Sequence, residues 1–212
     1  MDLQENIGRI KQVMGIITES TNKNIPSDVI EYVYQTTPIS EYATMDEYTD
    51  YVHNDYKDYF ITKHSSNNPE ILKTGLKTPE QLKVSYISVD AVFVTPDLNP
   101  NKTSAYRKSG DIINYYVMVP KGLNYLNTDY EISNIPDFYN DYKEMKKSGM
   151  DINPYKYNGD KLRELGYDVM IPDGGDYEWV ILNPESTIVL GSTKDIKRFL
   201  DRKSTHLNSS HI

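Results

Sequence analysis

Three short stretches of this chain combine residue types that can do chemistry. The first is His64-Ser65-Ser66, which follows the run Tyr59-Phe60-Ile61-Thr62. A histidine at a strand end, followed by small hydroxyl residues and a helix start, leaves backbone amides facing a ligand and adds a ring that donates or accepts near neutral pH. The second is Ser104-Ala105-Tyr106. An aromatic ring beside a small hydroxyl can stack on a flat ligand and bond its substituent. The third is Gly174-Gly175-Asp176-Tyr177-Glu178, leading into Trp179-Val180-Ile181-Leu182. Asp176 and Glu178 alternate by two and share a face when both are extended. A carboxylate at a strand mouth stabilises a developing positive charge, accepts a proton or binds a metal. Each stretch also has an ordinary structural explanation: an exposed histidine, one packing tyrosine among 19, a charged turn before a strand. Paired carboxylates also fit a glycosidase, although a single tryptophan is few for a sugar cleft.

These residues need elements to hold them. Leu3, Ile7, Ile10, Met14 and Ile17 form the narrow apolar seam of a helix over residues 2–18, with Asp2 as its N-cap. That seam docks on the protein's own body or on a partner helix. Residues 18–24 are polar and read as a linker. Pro26-Ser27 opens a helix through Tyr34, and Thr44 caps another through about Asp58. Strands are predicted over 59–62, 91–94, 112–119, 167–171, 178–182 and 187–190. A helix capped by Asn67 or Asn68, with Pro69 in its first turn, closes at Gly75, and a polar loop runs on to about Asp90. Further helices are predicted over 101–108, 137–147, 159–165 and 193–200. Strands and helices alternate without a regular βαβ rhythm, so the expected class is α+β.

Composition narrows the chemistry. The 212 residues suit one domain with an appendage. There is no cysteine, which excludes disulfides, thiolate zinc sites and cysteine nucleophiles. Lys and Arg number 23 against 31 Asp and Glu, a net charge of −8 that disfavours a large nucleic-acid footprint. No apolar run approaches the ~18 residues of a membrane helix, and Met1-Asp2-Leu3-Gln4-Glu5 lacks the basic start of a signal peptide. A soluble, cytoplasmic protein is expected. Residues 201–212 resemble, with His206 as the departure, the translated read-through of a sequencing adapter, and are expected to be non-native. That leaves His53 and His64 as the histidines to consider, and no metal site is expected.

The order of the three stretches adds a resemblance. His64-Ser65-Ser66 with Pro69-Glu70-Ile71-Leu72-Lys73-Thr74-Gly75-Leu76 resembles the H-G-S/T segment and following helix of ADP-ribosyltransferases. Ala91-Val92-Phe93-Val94-Thr95 with Lys102-Thr103-Ser104-Ala105-Tyr106 resembles the next strand and helix of that family. Tyr177-Glu178-Trp179-Val180-Ile181-Leu182-Asn183-Pro184 resembles its carboxylate-bearing strand. The branch is the His-Tyr-Glu type, typified by poly(ADP-ribose) polymerase catalytic domains, and the resemblance covers about residues 58–190. Residues 4–15 resemble a leader helix of tailed-bacteriophage proteins.

The resemblance implies a split, mostly antiparallel sheet with NAD⁺ in its cleft, preceded by N-terminal helices. The implied domains are a helical segment over 1–56, a transferase-like domain over 57–200 and the tail over 201–212. His64 would bond the adenosine ribose, Ser65 would offer its backbone to the nicotinamide carboxamide, and Ser66 would help hold the ribose. Tyr106 and Phe93 would sandwich the nicotinamide ring, Ser104 would bond the carboxamide, and Glu178 would be the catalytic carboxylate. Asp176 stands where some transferases position the acceptor. Three features depart from the family: Ser65 replaces a glycine, Phe93 replaces a tyrosine, and Asp176 is shorter than the usual Glu or Gln. The implied activity is mono-ADP-ribosyl transfer with release of nicotinamide, a protein acceptor being favoured over nucleic acid. The alternatives are an inactive transferase-fold binding or structural phage protein, in host cytoplasm or virion, and an RNA 2′-phosphotransferase.

Overall fold

The computed structural model describes residues 25–84, 89–99, 112–128, 136–150, 154–172 and 178–209. The predicted helix over 2–18, the linker after it and the predicted helix over 101–108 lie outside them. The chain divides into two compact units, Met1–Phe60 and Ile61–Ile212.

The first unit holds helix α1 (Ser27–Thr36), a 3₁₀ turn (Pro38–Glu41) and helix α2 (Met45–Asp55). Val29, Ile30 and Val33 form the buried stripe of α1, at helical spacing. Thr44 starts α2 with a reciprocal cap: its hydroxyl accepts from the Glu47 amide, and the Glu47 carboxylate accepts from the Thr44 amide. Tyrosines fill much of this core. Tyr48, Tyr51 and Tyr56 are buried, and the Tyr51 and Tyr56 hydroxyls share a 2.9 Å hydrogen bond that satisfies both in an apolar setting.

Strand β1 (Tyr59–Ser66) starts in the first unit and ends in the second. The second unit continues with two one-turn helices, α3 (Ile71–Thr74) and α4 (Pro79–Leu82), and then strands β2 (Val92–Val94), β3 (Ile113–Pro120) and β4 (Tyr125–Thr128). Helices α5 (Pro136–Lys147) and α6 (Pro154–Glu164) precede strands β5 (Val169–Pro172) and β6 (Trp179–Ile181). A 3₁₀ turn (Pro184–Ser186), strand β7 (Ile188–Val189) and helix α7 (Thr193–Ser209) complete the order. The class is α+β. One sheet has the order β1-β3-β7 and the other β2-β6-β5-β4. Pairs β2–β6, β5–β6 and β3–β7 are antiparallel, and β4–β5 is parallel. The four-stranded sheet packs Val89, Ala91, Leu162, Met170, Val180 and Leu182 into one core, with Phe93 against it.

Several elements differ in extent from the sequence expectation. Strand β1 runs four residues past Thr62, because it pairs with β3 in the three-stranded sheet and tertiary pairing sets a strand's end. Glu178 precedes β6 instead of opening it. Helix α3 is a single turn, because Asn68 Oδ1 accepts from the Glu70 amide and spends the expected cap on a local turn. The predicted loop to Asp90 contains α4, capped reciprocally by Thr78 and Gln81. Helix α6 begins at Pro154, five residues early. Its Gly159 packs so closely that a Cβ there would meet the Asp90 carbonyl oxygen at 3.0 Å. Strand β4 was not anticipated. Helix α7 continues to Ser209, through most of the stretch read as non-native, since no glycine or proline stops it and each added residue gains a hydrogen bond.

Candidate active site

The end of β1 is where the two sheets meet. Lys63, on the three-stranded sheet, pairs with Thr95 just past β2 of the four-stranded sheet, through two 2.8 Å backbone hydrogen bonds. Its side chain is buried and its ammonium donates to the Asn99 carbonyl. Beside this junction lies a cavity of about 640 Å³. Its walls come from the end of β1, the Asn67-Asn68 turn, α3, β2 and Glu178.

His64, Ser65 and Ser66 all line this cavity, and each is tied to a different element. The Nδ1 of His64 lies 2.8 Å from the carbonyl oxygen of Phe93 on β2. A carbonyl only accepts, so Nδ1 carries the proton, and in the neutral ring Nε2 keeps the acceptor lone pair. The Ser65 hydroxyl donates to Asn114 Oδ1 on β3 at 2.7 Å. The Ser66 hydroxyl accepts from the Asn68 amide at 3.2 Å, and the Asn68 carbonyl in turn accepts from the Tyr115 hydroxyl at 2.7 Å. The turn after β1 is thereby fixed by side chains of its own and of β3. Gly75 closes α3 at φ 72°, a left-handed φ that a residue with a Cβ rarely adopts, so the chain can turn along the cavity wall.

Phe93 and Glu178 reach the cavity from the other sheet. Phe93 sits opposite Val180 in the β2–β6 register, half-buried against the apolar core, so its ring position is set by packing. Glu178 stands one residue before Trp179, which pairs with Val94. Trp179 is 2 % exposed and anchors the start of β6. The carboxylate is therefore carried next to a fixed strand end, on the same cavity as His64.

Five of the eight residues singled out from sequence thus line one cavity: His64, Ser65, Ser66, Phe93 and Glu178. Ser104, Tyr106 and Asp176 lie outside the described residues. Sequence reasoning passed over Lys63, Asn114 and the turn-building role of Asn68. A lysine in a strand otherwise rich in apolar and small residues was a usable signal for Lys63. Nothing local marks Asn114, because its partner stands 49 residues away.

The cavity is also lined by apolar side chains: Ile71, Leu76 and Val92 are buried, and Leu82 and Val84 are exposed. The Asp90 carboxylate accepts from the Glu80 amide at the start of α4 and from the Arg163 guanidinium of α6. Chemically, the cavity offers an imidazole with defined tautomer, hydroxyls, an aromatic ring and a carboxylate, the set needed to bind a polar ligand with a flat ring and stabilise positive charge on it. Among the described residues no group of three His, Asp or Glu side chains gathers as a cation site needs, and no helix is long and apolar enough to cross a membrane. No family model, no curated protein and no solved structure matches the chain.

Proposed function

We propose that this protein is an NAD⁺-dependent ADP-ribosyltransferase that transfers single ADP-ribose units and releases nicotinamide. The observation that carries the reading is the convergence of His64, Ser65, Ser66, Phe93 and Glu178, spread over more than a hundred residues of sequence, on one cavity. A protein that only needed these residues for packing would have no reason to gather them around one cavity.

In this reading His64 and Ser66 hold ribose hydroxyls, and the backbone of Ser65 meets the nicotinamide carboxamide. Phe93 presents its ring to the nicotinamide. Glu178 accepts a hydrogen bond from the 2′-hydroxyl of the nicotinamide ribose. As the glycosidic C–N bond breaks, its electron pair leaves with neutral nicotinamide, and C1′ becomes an oxocarbenium-like cation. The Glu178 carboxylate stabilises that charge. An acceptor nucleophile then bonds C1′ and gives up its proton. Ser104 and Tyr106 belong to the same reading, as carboxamide partner and second stacking ring, and Asp176 as the group facing the acceptor.

The experiment is a calorimetric titration of the full chain with NAD⁺, followed by chromatographic assay of free nicotinamide. Saturable binding with nicotinamide release supports transferase chemistry, water serving as the default acceptor. Binding without release favours a catalytically inactive binding protein. Absence of both refutes the proposal.

A further inference from the structure

His64 and Ser66 are held in ways already described: one to a backbone carbonyl of β2, the other within its own turn. Ser65 differs. It is 8 % exposed, and its hydroxyl reaches across to a side chain, Asn114 Oδ1, at 2.7 Å. On a strand, successive side chains point to opposite faces, so the setting of Ser65 decides how its two neighbours face the cavity. The same two strands are also tied by Thr62, whose hydroxyl donates to the Val117 carbonyl at 3.1 Å, three residues back along β1 and three forward along β3. Thr62 is fully buried, so that tie belongs to the core. The Ser65–Asn114 bond is the one at the cavity's edge.

We propose that Asn114 is a positioning residue of this site. It acts through Ser65, turning that side chain toward β3 and fixing the backbone between His64 and Ser66 where it faces the ligand. This rests on the NAD⁺ reading above. Asn114 touches no reacting atom in this role, and the bond it accepts is replaceable by any acceptor of the same reach. Loss of a buried neutral hydrogen bond changes an equilibrium by about tenfold. The effect belongs to ligand binding, because Glu178 is carried by the other sheet.

The test is a cycle of full-length variants, Asn114→Leu, Ser65→Ala, the double variant and Asn114→Asp, with nicotinamide release read as KM and kcat and thermal melting read alongside. The expected result is a KM for NAD⁺ raised about tenfold in Asn114→Leu with kcat within about twofold of the parent. The double variant should be no worse than Ser65→Ala alone, since the two residues act as one device. Asn114→Asp keeps an acceptor for the Ser65 hydroxyl and should keep KM near the parent value. An unchanged KM in Asn114→Leu overturns the proposal. So does an Asn114→Leu effect that persists in full on the Ser65→Ala background, or an Asn114→Asp variant as impaired as Asn114→Leu. If Asn114→Leu fails to fold, Ser65→Ala and Asn114→Asp still decide: a parental KM in the first or a raised KM in the second overturns the idea. A parent protein that neither binds NAD⁺ nor releases nicotinamide refutes the functional reading itself, and this inference with it.

Discussion

The ring of His64 is locked to the backbone of Phe93: Nδ1 lies 2.8 Å from that carbonyl oxygen, although the two residues belong to strands of different sheets. The bond joins the two halves of the cavity and selects the tautomer. Ring ¹⁵N chemical shifts of His64 should therefore show a protonated Nδ1 and, above the ring pKa, an unprotonated Nε2. The opposite tautomer would break this part of the account. If the proposed NAD⁺ reading holds, His64→Ala raises the KM for NAD⁺ about tenfold or more, since the ribose hydrogen bond assigned to it there and the link to β2 are lost together.

Asp90 should matter for stability and little for binding chemistry. Its carboxylate is buried and holds both the start of α4 and the Arg163 guanidinium. Arg163 keeps other partners in Asp160 and the Leu182 carbonyl, and its side chain is 23 % exposed, so it is not wholly stranded by the loss. Asp90→Ala should cost about 2–3 kcal/mol, below the roughly 3–5 kcal/mol of a fully buried broken pair because Arg163 is part-exposed. For a chain of this size that is a fall in melting temperature of about 5–10 °C. A shift under about 1 °C in differential scanning calorimetry would show the brace to be unimportant.

The alkaline limb of the stability curve should carry a signature of Tyr125. Burial, and secondarily the Asp168 carboxylate, push its phenol well above the ordinary tyrosine range. Its hydroxyl donates to the Pro120 carbonyl at 2.6 Å. The unfolded chain releases this proton near pH 10 while the folded chain retains it, so the unfolded state binds fewer protons above that pH. The stabilisation is complete below about pH 10 and is lost as pH rises beyond it. Tyr125→Phe should cost about 1 kcal/mol at neutral pH, and its deficit should shrink above about pH 10. Urea titrations at pH 8 and pH 10.5 compare the two, and a deficit that grows with pH would have the wrong sign.

The sequence made the site's members legible better than its scaffolding. His64 and Glu178 stood out by type and neighbourhood, while Phe93 and the parts given to Ser65 and Ser66 came only from the order of the three stretches and the family resemblance; caps such as Thr44 follow from local chemistry alone. The α+β class followed from the rhythm of apolar runs. The length of β1 was not readable, because it depends on pairing with β3, a strand that begins only at Ile113. Strand β4 was missed for a related reason. Tyr125-Leu126-Asn127-Thr128 has no strong alternation, and becomes a strand by lying parallel to β5, where Tyr125 meets Trp179 edge-on. The α4 turn was within reach: Thr78-Pro79-Glu80-Gln81 is a capping box with proline at its first position. Asn114 shows the limit most clearly, since only strand register brings it to Ser65.

The central claim is that the Glu178 carboxylate stabilises positive charge on the ribose as nicotinamide leaves. The most direct test is nicotinamide release from NAD⁺ by the full chain beside its Glu178→Gln variant, with NAD⁺ affinity and melting temperature measured on both. Gln keeps the shape and one hydrogen-bond acceptor but removes the charge. The account predicts a fall in kcat of about 10²- to 10³-fold, of the size seen when one preorganised charge-stabilising group is removed, with affinity and melting little changed. Equal release by both proteins would contradict it.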